Sequence, residues 1–300
     1  DYRIFRNHGG VILFLYFVTL LALSALFYFS SKIRGVAGWF SVEGFLIQPV
    51  EFAKIMLIVI LAKYFSKRHI DIYQMKHIVI SGLFAAIPIF LVIIQPDLGS
   101  AMILLALWVS VTLFSGIRIK HFLILNFMFI FLAIAGWSAV LKPYQKERII
   151  TFVAPQLADP LGAGWSQAQA KIAIGSGSIF GKGFSRGSQT QYGFLPEPHT
   201  DFIFAAIAEE FGFAGVLIVI GLFLIILWRV IKIAILSRSN FPRLLASGFV
   251  ILLITQTFIH IGMNLGILPI VGVPLPLVSY GGSSLILTFL NIGIIQSIKA

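Results

Sequence analysis

The sequence contains no cysteine, and only a small share of its residues is charged. The missing cysteines exclude disulfides, thiolate metal sites and cysteine nucleophiles. Charged residues make up 11% of the 300 positions, whereas 59% are hydrophobic, and the mean hydropathy is strongly positive. This composition excludes an ordinary soluble domain and predicts a polytopic membrane protein.

Apolar runs long enough to cross a bilayer as helices, about 20 residues each, recur along the chain. They cover residues 10–30, 77–94, 98–115, 121–141, 203–228, 244–265 and 277–298, with a shorter run at 50–65. We therefore predict an all-α helical bundle with eight spans, in which residues 1–300 form one transmembrane domain.

The net charge of +11 comes from 22 basic and 11 acidic residues, and the two signs are segregated. Lysine and arginine gather in the connections at one set of helix ends, a pattern that marks the cytoplasmic side and predicts that both termini lie there. Because this orientation explains the basic residues, we predict no nucleic-acid partner. Nearly all the acidic residues fall at the opposite, outer ends, where orientation alone does not require them.

Residues 142–202 form the one long outer connection, and loops of this length usually carry function or are disordered. Within it, Trp165, Ala168 and Ile172 recur at helical spacing. This spacing predicts a short amphipathic helix at the membrane surface, with these three residues on its apolar face and Gln167 elsewhere.

A glycine-rich run follows this predicted helix, but it lacks the spacing of a phosphate-binding loop. Together with Lys171, Lys182 and Arg186 it is expected to form a flexible basic loop. Such a loop either holds an anion through backbone N–H groups and charge or is simply solvated.

Three further features place polar groups inside or beside the predicted spans. Glu51 and Lys54 are three positions apart, so they can pair on one helix face, as part of a site or as a structural ion pair. Asp97 follows a proline between two spans and can cap the next helix. Residues 272–284, which include Ser279, contain two prolines and a glycine pair, and are read either as non-helical backbone beside a polar cavity or as the start of the last span.

The stretch Leu195–Glu210 changes from a polar approach with two prolines into an apolar run, with His199, Thr200 and Asp201 at the turning point. The prolines disfavour helix before this point. We therefore expect Asp201 at the start of a membrane helix on the outer side. There it either caps the helix or serves in chemistry, and the residues alone leave both alternatives open.

Eight motifs, in this order, resemble those of the SEDS family of bacterial cell-wall polymerases: QPVEFAK (48–54), QPDLG (95–99), YQKERI (144–149), DPLGAGW (159–165), KIAIGSG (171–177), GKGF (181–184), LPEPHTDFIFA (195–205) and LPLVSYGGSS (275–284). The resemblance favours the elongation branch over the division branch. Family members usually have ten spans, so it implies that the first two are missing and that the chain, which opens without methionine, is a fragment. Val50 stands where the family has serine.

The resemblance implies a glycosyltransferase that polymerises lipid II into peptidoglycan strands at the outer face of the bacterial cytoplasmic membrane, for cell elongation and rod shape. It implies that Asp201 is catalytic, either as the general base of an inverting transfer or as a ligand of Mg²⁺ or Mn²⁺. Substrate contacts are expected from Arg148, Lys171, Lys182, Arg186, His199 and Trp39. Structural support is expected from Glu51, Lys54, Asp97 and Ser279.

The implied partners are a class B penicillin-binding protein, other membrane proteins of the elongation complex and the bilayer itself. Two alternatives remain at this point: a transporter that flips lipid II across the membrane, and a scaffold without catalysis. A transporter needs polar groups on both sides of its midplane. The concentration of acidic residues on the outer side therefore favours the polymerase.

Overall fold

The computed structural model describes residues 1–33, 36–42, 45–67, 75–116, 120–121, 143–153 and 163–299. The chain divides into two compact units. The first consists of residues 1–129, 227–255 and 282–300, and the second of residues 130–226 and 256–281.

Helices account for most of the described residues. The first part of the chain forms α1 (Tyr2–Asn7), α2 (Gly9–Phe29), β1 (Ser31–Ile33), β2 (Val36–Val42), β3 (Phe45–Ile47), α3 (Pro49–Ser66), α4 (Met75–Ile94) and α5 (Leu98–Phe114). The rest forms α6 (Pro143–Val153), α7 (Ala163–Ser176), α8 (Ser188–Gln191), α9 (Ile203–Leu236), α10 (Asn240–Leu265) and α11 (Gly282–Lys299).

Among the described helices, α2, α4, α9 and α10 are long and apolar enough to cross a membrane, and α5 and α11 are shorter apolar helices. With α3 they account for seven of the eight predicted spans, while residues 122–141 of the remaining one lie outside the described part. The prediction of helix from residue 277 is wrong, because α11 begins only at Gly282. Leu277 has a φ of 63°, which lies outside the right-handed helical region, so the helix cannot include it.

Helix α3 lies in the core of the first unit. Its side chains are buried on every face, as expected for a helix that is apolar around its whole circumference. It packs against α2, α4, α5 and α11. Helix α10 also approaches it closely, since a Cβ at Gly248 would lie 2.5 Å from the Cγ2 of Ile58. A small residue is therefore required at this crossing.

The first unit also contains a three-stranded antiparallel sheet in the order β1-β2-β3, which the sequence did not predict. Gln95, from the QPDLG motif, connects this sheet to two helices. Its backbone oxygen accepts from the N–H of Ala37 in β2 at 3.3 Å, and its side-chain amide donates to the backbone oxygen of Leu23 in α2 at 2.7 Å. Strands of three to seven residues without a clear alternation leave little signal in the sequence.

In the second unit, α7 forms where a helix is predicted. Ala168 and Ile172, from the predicted apolar face, are exposed, whereas the side that packs against the protein carries Gln167, Ala170 and Ala173. The amide of Gln167 can be buried because it donates to the backbone oxygens of Met263, in the last turn of α10, and of Leu268, just beyond α10, at 3.4 and 3.1 Å. Hydrogen bonding therefore decides which side of α7 packs inward.

The buried alanines of α7 belong to a small apolar core that includes the first residues of α9. Its members are Ala170, Ala173, Leu195, Phe202, Ala205, Ala206 and Ile270. The outer connection therefore has a packed structure of its own and is ordered where it is described.

Helix α9 is interrupted at Gly212, whose φ of 66° and ψ of −165° are accessible to glycine and to almost no other residue. Residues 177–187, called the glycine loop below, fill this interruption. Four backbone hydrogen bonds of 2.9 to 3.0 Å join residues 178–183 to residues 209–214. The expectation of a flexible loop is therefore wrong, although many of its side chains are exposed. A Cβ at Gly177 or Gly181 would overlap the backbone of α9, so glycine permits the close approach.

Replacing Gly212 with alanine should destabilise the protein, because the backbone conformation alone costs about 1–3 kcal/mol without glycine, and the new Cβ would meet the backbone of the glycine loop. Gly221→Ala in the same helix is the matched control. A Cβ there meets nothing within 4 Å, and alanine favours helix over glycine by about 1 kcal/mol. Thermal unfolding in detergent measures both variants, and equal stability would show that the interruption does not depend on Gly212.

Candidate functional site

Asp201 lies two residues before α9, half-buried, in the second unit. Its backbone position is fixed by the buried side chain of Asn264 in α10. The amide of Asn264 donates to the backbone oxygen of Asp201 at 3.1 Å and to that of His260 at 2.8 Å, and its oxygen accepts from the N–H of Ala205 at 3.3 Å. One buried amide thus connects the start of α9 to α10.

The segment between α10 and α11, residues 266–281, is non-helical, as predicted for its glycine- and proline-rich part. It holds the residues that precede Asp201. The Oγ of Ser279 donates to the backbone oxygen of Thr200 at 2.8 Å, and the N–H of Tyr280 donates to that of His199 at 2.8 Å. The supporting contact expected of Ser279 is therefore present, while the side chain of His199 is exposed.

The same segment borders the carboxylate of Asp201 and two of the predicted cations. A Cβ at Gly272 would lie 3.8 Å from the Oδ2 of Asp201. Arg148 donates to the backbone oxygen of Ile270 at 3.3 Å. The side chain of Lys171 lies against Gly266 and leaves no room for a Cβ there. Arg148, Lys171 and the candidate catalytic carboxylate of Asp201 therefore all lie beside residues 266–272.

Lys182 pairs with Glu209, an acid that the sequence analysis did not single out. The Nζ of Lys182 lies 2.9 Å from the Oε1 of Glu209, whose side chain is fully buried in α9. A signal was present in the sequence, since an acidic residue within an apolar run is a candidate for function. The sequence did not identify Lys182 as the partner, because Lys182 lies 27 positions before Glu209.

The carboxylate of Glu209 also accepts hydrogen bonds from α8. The backbone N–H groups of Gln189 and Thr190 donate to it at 2.9 and 3.0 Å, and the Thr190 hydroxyl donates at 2.8 Å. Gly187 packs so closely that a Cβ would lie 2.5 Å from the Oε2 of Glu209. The charge of Lys182 is thus balanced inside the protein, whereas Arg186 is exposed on the glycine loop.

The remaining predicted residues lie in the first unit. Glu51 and Lys54 form the predicted buried ion pair, with 2.7 Å between Oε1 and Nζ. Asp97 caps α5, as predicted, by accepting from the N–H of Ser100 at 3.0 Å. Trp39 is half-buried in β2. The three charged residues thus lie at the starts of α3 and α5, two helices that pack against each other.

Within the described part of the chain, no group of three or more His, Asp or Glu side chains is arranged to hold a metal ion.

Comparison with known proteins identifies the family. The family model for the cell cycle proteins FtsW, RodA and SpoVE matches residues 2–300. The chain belongs to this family. It is 38% identical over 298 residues to the peptidoglycan glycosyltransferase MrdB of Escherichia coli K12, an alignment that covers 98% of this chain and 79% of the relative.

Solved structures of this family have the same fold. A chain of a peptidoglycan synthase complex that coordinates polymerization and crosslinking is 32% identical, with a TM-score of 0.84, and the match covers 100% of this chain and 82% of that one. The crystal structure of the rod shape determining protein RodA from Thermus thermophilus is 28% identical, with a TM-score of 0.67 and coverage of 98% and 77%. These similarities establish a polytopic helical membrane protein.

Replacing Glu209 with glutamine should loosen α8 and the glycine loop, because an amide has one acceptor oxygen and presents an NH₂ group to the donors of α8. We expect a loss of about 1–3 kcal/mol in the free energy of unfolding and faster hydrogen exchange at Gln189 and Thr190. Glu210→Gln is the matched control, since this neighbour makes one long contact, 3.4 Å from Gln191. Equal exchange in the two variants would contradict the role given to Glu209.

Replacing Glu51 with glutamine should leave the buried Lys54 without its counter-charge and cost about 3–5 kcal/mol. Thermal unfolding in detergent gives the loss. Exchange of the two residues, Glu51→Lys with Lys54→Glu, is the control and should recover part of the stability if pairing is what matters. A Glu51→Gln protein with normal stability that has lost only its activity would move Glu51 from support to chemistry.

Proposed function

We propose that this chain polymerises lipid II into peptidoglycan glycan strands during cell elongation, and that Asp201 is the general base of the transfer. Peptidoglycan glycosyltransferase is the activity named for the relative that this chain matches over nearly its whole length. The role of Asp201 is supported by one observation: its backbone is held from two sides, by Asn264 and by the segment that carries Ser279. Catalysis requires this kind of fixed position.

The stereochemistry of the reaction defines what Asp201 does. The anomeric carbon of the donor is α-linked to diphosphate, and the product bond is β-1,4, so one displacement with inversion is the simplest route. The 4-hydroxyl oxygen of the acceptor forms the new bond to the anomeric carbon. The bond to the diphosphate oxygen breaks, its electron pair leaves with the diphosphate, and the hydroxyl proton passes to the carboxylate of Asp201.

The leaving diphosphate needs positive charge as the bond breaks. Arg148 and Lys171 are the best candidates among the predicted cations, because both contact residues 266–272, which also border Asp201. Lys182 is a poorer candidate, since its charge is balanced by Glu209. A divalent cation bound by Asp201 and the diphosphate would supply the same stabilisation, and activity that survives EDTA would exclude this role.

The site lies on the outer face of the cytoplasmic membrane in this proposal, because the acidic residues are concentrated at the predicted outer ends. A class B penicillin-binding protein is the proposed partner. The peptidoglycan synthase complex with a TM-score of 0.84 coordinates crosslinking with polymerization, which is consistent with such a partner.

Replacing Asp201 with asparagine should lower the rate of glycan polymerisation by about 10²–10⁴-fold, the usual contribution of a general base. Asparagine keeps the volume and can still accept hydrogen bonds as a helix cap, but it takes up no proton at neutral pH. The measurement is strand length and yield from lipid II in detergent, with the partner present. Detergent also separates polymerisation from transport, because no membrane has to be crossed.

Glu197→Gln is the matched control for this substitution. It removes the same charge four positions earlier, from an exposed side chain in the same approach to α9, and should leave polymerisation nearly unchanged. Stability and partner binding should be normal in both variants. Near-normal strand synthesis by Asp201→Asn would return Asp201 to a structural role, and equal losses in both variants would indicate a general effect of charge.

A further inference from the structure

Five large apolar side chains are exposed together around the interruption of α9. We call them the aromatic patch: Ile179, Phe180, Phe184, Phe211 and Phe213. Phe180 is 84% exposed and Phe184 is 75% exposed. Single exposed apolar side chains are common, but a contiguous group of this kind marks an interaction surface.

The patch is held in this arrangement by the backbone. The N–H groups of Phe213 and Ala214 donate to the oxygens of Ser178 and Ile179 at 2.9 and 3.0 Å. The rings of Phe184 and Phe211 lie 6.2 Å apart. Because the glycine loop is fixed on α9, its phenylalanines cannot turn inward without breaking these contacts.

The patch continues directly into the surface of a membrane helix. Beyond Phe213 on α9 the large apolar side chains are again exposed: Leu217, Ile218, Leu222, Leu224 and Ile225. In a multi-pass membrane protein such a surface faces lipid. Residues 213–236 measure about 36 Å along the helix, which exceeds the hydrocarbon thickness of about 30 Å. The part of α9 after the interruption is therefore long enough to span by itself.

We propose that the glycine loop is a membrane anchor, and that the aromatic patch inserts into the interfacial layer of the bilayer at the level of Gly212. Bilayer lipid is the occupant, because the patch is continuous with the lipid-facing surface of α9. The exposed cation of Arg186 lies in the same loop and is placed to meet lipid phosphates. This inference does not depend on the proposed transferase chemistry.

The absence of cysteine makes a direct test simple. Phe180→Cys and Phe184→Cys each provide one site for a nitroxide label, with Ile179→Cys as a third. The labelled proteins are placed in nanodiscs of phosphatidylethanolamine and phosphatidylglycerol, without substrate or partner. Collision rates with oxygen, which enters lipid, and with a water-soluble nickel chelate give the depth of each label. Labelled phospholipids in the same nanodiscs calibrate the scale.

Two variants serve as references: Leu222→Cys on the exposed surface of α9, and Gln191→Cys on the exposed side of α8. We expect an oxygen-to-nickel ratio at residues 180 and 184 that is several-fold higher than at 191 and close to that at 222. Ratios equal to that at 191 would place the patch in water and overturn the anchor. Labels that neither reagent reaches would show that protein covers the patch, which also overturns it.

A second measurement separates lipid from a protein partner. Adding the penicillin-binding protein should leave the collision rates at residues 180 and 184 unchanged. A fall in both rates would identify the patch as a protein interface instead. Chromatographic behaviour and strand synthesis of each labelled variant, which should match the unlabelled parent, show that the fold is retained.

Discussion

Backbone hydrogen bonding is the constraint on which the second unit depends. Non-helical backbone beside a membrane is stable only when its polar groups find partners inside the protein. Here three such segments supply partners for one another and for α9. The glycine loop bonds to the interruption at Gly212, and residues 266–281 bond to the approach to α9 through Tyr280 and Ser279. These loops are therefore ordered because their polar groups form hydrogen bonds with one another and with α9.

In both units a buried acidic side chain is paired with a basic side chain that lies next to it in space. Glu209 is compensated by Lys182 and by the donors of α8, and Glu51 by Lys54. Removing a charge from water is costly, so such acids persist only where their partners are fixed. The two pairs differ in how far apart their members lie in the sequence. Glu51 and Lys54 lie within one helical turn, whereas Glu209 and Lys182 come from separate elements.

This difference explains which features could be read from the sequence. The pair Glu51–Lys54, the cap at Asp97 and seven of the eight spans depend on neighbours within a few positions. These predictions are confirmed, except that the last span starts later than predicted. The buried face of α7 depends on acceptors that lie about 100 positions away, so hydropathy alone did not indicate it. The docking of the glycine loop on α9 also depends on distant partners. Family motifs indicated Asp201 but not the amide that holds it.

The hydrogen bond from Asn264 to the backbone of Asp201 bears on the proposed transfer reaction. Asn264 and Ser279 bind the backbone oxygens of Asp201 and Thr200, so they fix the chain without using the Asp201 side chain. The position of the Asp201 backbone is therefore set by the protein itself, which is the kind of support that the proposed base or cation ligand requires. Displacements of about 1 Å at a reacting group can cost about 10²-fold in rate. A buried amide between two helices is a rigid means of preventing such a displacement, because moving it would leave three hydrogen-bonding groups unpaired in an apolar interior.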